Sequence, residues 1–257
     1  MDLAARSPSP PPSAFPAATS ANYVVRLARD HDEVKAAQRL RFQVFNLEMG
    51  EGLDQSYATG LDQDRFDDAC DHILVFHAPT GDLAGTYRIQ TGLAALAGLG
   101  YYSEQEFDFS PFEGLRSEMV ELGRACVDWR HRNLSALGKL WKGIATYAEQ
   151  RRARFLVGCS SLSTLDPDAA WSVYNSMARR HLAPAGLRTS PIAGWECPPG
   201  TGVDVAFPVP KLLRAYLSLG AKICGAPARD RQFGTIDFLT LLDLESLAPA
   251  ARNKFFS

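Results

Sequence analysis

EMVELGRACVDWRHRNLSALGKLWKGIATYAEQRRAR, residues 118 to 154, decides how the rest of this chain is arranged. Its first part, Met119 to Val127, holds the apolar, small or β-prone residues Met119, Val120, Leu122, Ala125, Cys126 and Val127, the pattern of a strand buried on both faces. Glu121 and Arg124 interrupt that pattern. Strand residues alternate sides with a period of two, so positions three apart point to opposite faces unless an extra residue enters between them. Gly123 suits that role. A bulge at Leu122 and Gly123 turns Arg124 to the side of Glu121 and leaves nearby N–H groups available to a carbonyl oxygen. A buried structural ion pair explains the same two charges equally well.

After the strand, Asn133 is a suitable N-cap, and Leu137, Leu140, Trp141, Ile144 and Ala148 recur at helical spacing, with Lys139, Lys142, Glu149 and Gln150 off that stripe. Trp141 therefore belongs to the core. Arg130, His131 and Arg132 precede the first turn, so cationic side chains, unpaired amides and the positive end of the helix dipole converge on one spot suited to a phosphate. A solvated basic turn is the plain alternative.

The chain has 257 residues, 46% hydrophobic and 22% charged, enough for one sizeable globular domain. A net charge of -2 supplies no general basic field, so no nucleic-acid partner is expected. Cys70, Cys126, Cys159, Cys197 and Cys224 lack CxxC spacing, and the five histidines lack metal-ligand spacing, so we expect reduced thiols and no metal. No apolar run approaches the length of a membrane span, and the N-terminus lacks the apolar stretch of a signal peptide. The expected location is the cytoplasm.

Residues 1–21, rich in Pro, Ser and Ala, are expected to form a disordered tail, and residues 22–257 one domain with an inserted lobe around 181–210. Tyr23 to Leu27 reads as a strand, and a helix begins at about Asp32. An acidic loop-like segment follows, with Glu48, Glu51, Asp54, Asp62, Asp64, Asp67, Asp68 and Asp71. Most of these are expected to be solvated, forming an electronegative lip for a cationic small substrate. His72 to His77 and Leu83 to Thr91 form a hairpin around APTGD, and a Gly-rich, aromatic excursion at 92–117 leads into the central strand. Phe155 to Cys159 is a strand and Ala169 to Arg180 a helix carrying Trp171 and Tyr174. A helix at Lys211 to Leu219 precedes AKICG and GTIDFLTLLDL, two strands that close the chain.

This order resembles the GCN5-related N-acetyltransferase (GNAT) fold, an α/β domain of the α+β type whose mixed central sheet is flanked by helices and has a bulged central strand. Acetyl-CoA enzymes of that fold carry a Q/R-x-x-G-x-G/A turn for the pyrophosphate, where this chain has RHRNLSALG with no glycine before Gly138. LRFQVFNLE (40–48), FDDACDHILVF (66–76), GTYRIQTG (85–92) and ELGRACVDWRHRN (121–133) instead resemble successive motifs of the acyl-homoserine-lactone synthases. LWKGIATYA (140–148), LVGCSSL (156–162), GAKICGAP (220–227) and RQFGTIDFLTLLDL (231–244) are similar to the ornithine N-acyltransferases of bacterial ornithine-lipid synthesis, and the resemblance spans roughly residues 23–244. It implies transfer of a long 3-hydroxyacyl group from acyl carrier protein to the α-amino group of ornithine, giving lyso-ornithine lipid.

Aminolysis of a thioester requires a neutral amine, a polarised carbonyl and a route for the amine proton. These needs point to Glu121 as the base, directly or through water, to Arg124 as the residue orienting it or the substrate carboxylate, and to the N–H groups of Ala125, Cys126 and Val127 as binders of the thioester oxygen. The resemblance implies Tyr174 as the acid that protonates the leaving thiolate, since it stands on the helix where related acetyltransferases keep a tyrosine for that step. Glu48, Asp64, Asp67 and Arg88 are expected at the amino-acid substrate, and Arg130 and Arg132 at the phosphate of the carrier's phosphopantetheine arm. No cofactor is expected to be permanently bound. Lys139, Lys142, Arg151, Arg152 and Arg154 offer an acidic carrier protein a docking patch, and the apolar stretch GLAALAGLGYY (92–102) offers an acyl-tunnel mouth or a peripheral contact with the inner membrane. Alternatives on the same fold are an acyl-homoserine-lactone synthase, an N-acyltransferase for another amino acid, or a catalytically silent acyl- or carrier-binding protein.

Overall fold

In the computed structural model, which describes residues 22–255, strand β1 (Tyr23–Leu27) is followed by helix α1 (His31–Phe42), prolonged as a π-helix over Gln43–Met49, and by the short helix α2 (Ser56–Thr59). Then come β2 (Asp71–His77), β3 (Leu83–Thr91), α3 (Gly92–Ala97), β4 (Met119–Val127), α4 (Leu134–Gln150), β5 (Phe155–Leu162) and α5 (Pro167–His181). The rest is α6 (Lys211–Ser218), β6 (Lys222–Ile223), β7 (Ala228–Asp230), β8 (Thr235–Asp243) and α7 (Pro249–Phe255). The strands form one sheet in the order β1-β2-β3-β4-β5-β8-β6, with β7 also on β8, and only the β4–β5 pairing is parallel. This is the expected mixed sheet flanked by helices. The tail expected at residues 1–21 lies outside the described residues.

Helix α4 starts where the sequence says it should, because Asn133 Oδ1 accepts hydrogen bonds from the Ser135 and Ala136 amides, both at 3.0 Å. Its apolar face covers β1 to β4 through Leu140, Trp141, Ile144 and Ala148, which pack with Val25, Ile73, Tyr87, Ile89, Val120 and Leu122. Burying each of the larger aliphatic chains contributes about 1.5–3 kcal/mol. Gly143 sets the spacing: a Cβ there would sit 2.7 Å from Val25 Cγ2 and 3.0 Å from Ile73 Cγ2, so only glycine lets the helix seat this close. Lys139, expected on the solvated face, is instead buried, since it falls between Ala136 and Gly143 on the covered side. A second core, with Phe107, Phe109, Phe112, Met119, Phe155 and Leu239, lies on the opposite face of the sheet.

Four short elements escaped the sequence reading: α2 within the loop-like acidic segment, α3, β7 and the helix α7, which follows β8 where the chain was expected to close on strands. Between α5 and α6 the chain runs beside the outer strands through single bridges, Leu182 to Ile223, Thr189 to Gly225 and Glu196 to Ala228. Its buried Ala183 and Cys197 join the domain's own apolar clusters.

Two irregularities in β4 shape the site. Against β3 the register runs Gly85 to Val127 and Thr86 to Cys126, then Arg88 to Gly123, so β4 holds one residue more than its partner. The strained position is Arg124 itself, with φ 51°, and the bulge lies there rather than at Leu122 and Gly123. The consequence expected from the sequence still follows, for Glu121 and Arg124 face the same side. Against β5, β4 pairs only from Met119–Phe155 to Glu121–Val157, and then the parallel strands part. Gly158 stands at the fork: a Cβ there would lie 2.1 Å from the Leu122 carbonyl oxygen.

Candidate functional site

A 590 Å³ cavity fills the fork between β4 and β5. On the α4 side it is walled by apolar residues of the first core, among them Tyr87, Trp141, Leu156, Tyr216 and Leu242. On the other side its wall carries Arg88, Ser103, Glu121, Arg124, Cys159, Asp230 and Asp237. The parting of two strands thus joins an apolar chamber to a polar one through the sheet. Ala125, Cys126, Val127 and Arg132 also line it, whereas Glu48, Arg130 and Tyr174 do not.

Glu121, only 4% exposed, is held at both oxygens. Oε2 accepts from Gln90 Nε2 at 2.7 Å and from the Tyr102 amide at 2.9 Å, and Oε1 accepts from the Ser103 amide and from Ser103 Oγ, both at 2.8 Å. Its lone pairs are therefore in use, and the Ser103 hydroxyl, itself on the cavity wall, stands between Glu121 and the space beyond. Tyr102 links the two β4 charges. Its N–H is on Glu121, its hydroxyl is 3.5 Å from Arg124 Nη2, and the Arg124 guanidinium lies 5.2 Å from its ring centre. The expected direct orientation of Glu121 by Arg124 is replaced by this bridge, and Arg124 turns to Asp64 at 3.2 Å and Asp62 at 3.5 Å.

The acidic segment is not the solvated lip expected from its composition. Asp62 and Asp67 are buried, and with Asp64 they meet Arg41, Arg88 and Arg124 in a network of three carboxylates and three guanidiniums. Arg41, with no exposed surface, reaches Asp62 and Asp67 at 2.8 Å, and Arg88 reaches Asp64 at 2.6 Å and Asp67 at 3.1 Å. Against burial, which alone would raise them, these arginines hold the Asp67 and Asp64 carboxyls below their ordinary range. Two donors stay unpartnered: Arg88 Nη2 and Arg124 Nε are buried, on residues that line the cavity.

The basic turn disperses rather than converging. Arg130 pairs with Asp128 at 2.8 Å and is half exposed, and buried His131 Nδ1 lies 3.1 Å from the Tyr23 hydroxyl. Arg132 donates to the Val127 carbonyl at 3.0 Å and pairs with Glu48. Tyr174 packs edge-on to Trp171 and parallel to Phe238, away from the fork. Leu93, Leu96 and Leu99 are exposed, and they are absent from the cavity wall, so the stretch at 92–99 is not its mouth.

One further group has no local signature along the chain. Glu106, Cys159 and Asp237 bring ligand atoms within 4.8 Å of one another, although 53 and 78 residues separate them along the chain. Glu106 is 1% and Asp237 4% exposed. Burial first, and then the charges of Asp237 and Asp230, push the Glu106 carboxyl well above its ordinary range; burial and Asp230 push Asp237 up to about 6. Burial and the same two carboxylates also push the Cys159 thiol far up.

Comparison with known proteins agrees with this geometry. The model of the acetyltransferase (GNAT) domain matches residues 40–142. The L-ornithine N(alpha)-acyltransferase of Rhodobacter capsulatus is 31% identical over 250 residues, spanning 92% of this chain and 95% of that protein. The enzyme of the same name from Brucella abortus is 32% identical, over 87% of this chain and 85% of its own length. Among solved structures, FeeM, an N-acyl amino acid synthase from uncultured soil microbes, superposes with a TM-score of 0.54 at 16% identity, over 90% of this chain and 97% of that one, which shows a shared fold. A forked sheet with a two-natured cavity, on a chain this similar along its length, belongs to an acyltransferase of the L-ornithine N(alpha)-acyltransferase family.

Proposed function

We propose that this protein transfers a 3-hydroxy fatty acyl group from acyl carrier protein to the α-amino group of ornithine, forming lyso-ornithine lipid. The observation that carries the reading is the two-natured cavity: an apolar chamber that accepts an alkyl chain opens into a polar chamber that accepts an amino acid, and the fork between them is where a thioester meets an amine. The unpartnered donors Arg88 Nη2 and Arg124 Nε suit the α-carboxylate of the acceptor. A donor on a carrier protein, rather than CoA, is favoured at the start of α4, where Asn133 already occupies the Ser135 and Ala136 amides and no glycine opens the backbone to a pyrophosphate.

In the reaction the amine nitrogen attacks the thioester carbon, whose oxygen turns toward the N–H groups of the unpaired stretch of β4 from Ala125 to Val127. As the C–N bond forms, the amine proton passes to Ser103 Oγ while the Ser103 proton moves to Glu121 Oε1, along a hydrogen bond already 2.8 Å long. The C–S bond then breaks, and the proton held by Glu121 returns through Ser103 to the departing thiolate, which completes the balance and restores the carboxylate. Glu121 acts as the base through Ser103 rather than directly. Incubating the purified protein with 3-hydroxyacyl carrier protein and a panel of amino acids, with products read by mass spectrometry, tests the reading. N-acylornithine is the expected main product, and acylhomoserine lactone or another acyl amino acid in its place overturns it.

A further inference from the structure

An ornithine acceptor brings one group that the transfer does not consume, the side-chain ammonium, and a cation of that size needs a counter-charge inside the cavity. The carboxylates of the acidic segment are poor candidates, because three arginines already compensate them. Glu106 and Asp237 differ. Both oxygens of Glu106 and Oδ1 of Asp237 are buried with no hydrogen-bond partner among the described residues. Asp237 and Cys159 form part of the cavity wall, and Glu106 stands behind them within 4.8 Å. Asp230, also buried and on the wall, accepts at Oδ1 from the Gln232 and Phe233 amides at 2.8 Å and adds a third acid to the same corner.

Resting on the reading of the protein as an ornithine acyltransferase, we infer that Glu106 and Asp237 form the subsite for the side-chain ammonium of the acceptor and so select a diamino acid over a neutral one. Three features support this. Two buried acids side by side hold a proton between them in place of a second charge, and an ammonium brings three donors that satisfy the same oxygens with both acids ionised. The unpartnered donors on Arg88 and Arg124 lie on the same cavity, so one chamber offers donors for a carboxylate and acceptors for an amine, the charge pattern of a zwitterion with a second amino group. A soft metal ion is the lesser fit, since it needs a thiolate from Cys159, whose thiol burial and the two neighbouring acids keep protonated.

The test compares ornithine with norvaline, which has the same carbon chain and lacks the side-chain amine. In kcat/KM the wild-type enzyme should favour ornithine by at least about 100-fold, because a site built to pair a polar group rejects the analogue that leaves its own groups unpaired. In Glu106→Gln/Asp237→Asn that preference should fall by about 100-fold, through KM for ornithine. Titration calorimetry of the wild-type protein with each amino acid repeats the comparison without any variant and without turnover. If the wild type binds and uses both alike, or the folded double variant keeps the preference, the inference is overturned. Loss of ornithine turnover on chelation, restored by a divalent ion, overturns it in favour of a metal site. A wild type that acylates no amino acid but still binds ornithine at least 100-fold tighter than norvaline sinks the functional reading and leaves the subsite standing.

Discussion

Two groups of acids lie near Arg124, and they are built on opposite principles. In one, Asp62, Asp64 and Asp67 face Arg41, Arg88 and Arg124, and the charges balance within the protein. In the other, Glu106 and Asp237 face each other with Asp230 nearby, and three of their oxygens have no partner among the described residues. The first fixes α1 and the loop after it to β3 and β4; the second has no ion pair among the described residues. Burial alone does not separate scaffold from site, but the balance of charge does.

If the contrast holds, the largest effect comes from unbalancing the first group. Arg41→Met strands Asp62 and Asp67 without their main partner and should cost about 3–5 kcal/mol in denaturant unfolding, the usual cost of leaving a buried charge uncompensated. A loss below about 1 kcal/mol would mean that the first group is as loosely coupled as the second. Next comes Glu121→Gln, which removes the acceptor of the relayed proton and turns an amide donor toward donors on Gln90, Tyr102 and Ser103. Its kcat should fall by at least about 100-fold. Near-normal turnover by a folded variant removes Glu121 from the mechanism.

Stability against pH separates the two groups by sign. Asp237 is raised on folding, so between its ordinary pKa of 3.8 and about 6 the folded protein binds more protons than the unfolded chain, and the stability it contributes is lost as pH rises through that window. The shift corresponds to a contribution on the order of 3 kcal/mol, and Asp237→Asn should flatten the profile there. Asp67 is lowered on folding, so its contribution is present above the ordinary carboxyl range and is lost only as pH falls into strong acid. Identical profiles for wild type and Asp237→Asn between pH 4 and 7 would break the comparison. The smallest effect belongs to the exposed charge of the basic turn: if the proposed carrier donor is right, Arg130→Ala should raise KM for acylated carrier protein by about 10-fold without moving the thermal midpoint, and an unchanged KM removes it from the site of the phosphopantetheine phosphate.

What sequence conveyed was what repeats locally. The hairpin arm Leu83 to Thr91, the strand Met119 to Val127 and the Asn133 cap all stand in the structure with the expected bounds, since strand propensity, turns and capping depend on near neighbours. The charge network was misread because its arginines lie elsewhere: Arg41 is 21 residues from Asp62, and Arg124 is 60 from Asp64. One signal was present, for Arg41 sits beside Leu40 and three residues before Val44 on the covered side of α1, where a charge needs a partner. The bulge was misplaced because glycine is the usual residue at left-handed backbone, whereas Arg124 takes it here, anchored by Asp62 and Asp64. Glu106 and Asp237 were invisible for the plainest reason: each sits in an ordinary local context, and only the meeting of β5, β8 and the turn after Tyr102 makes them a pair.

The two cysteines of the fork bear on the order of events. Cys126 and Cys159 both line the cavity, and burial holds both thiols neutral at physiological pH. A neutral thiol is a poor nucleophile, so the acyl chain has no resting place on the protein between donor and acceptor. Both substrates must then be present at once, and initial-rate plots with either varied at fixed levels of the other should intersect rather than run parallel. No hydroxylamine-labile acyl-protein should accumulate when the donor is supplied alone. Cleavage of the donor thioester is thereby linked to the amino acid's arrival, and no acyl-cysteine forms to be lost to water.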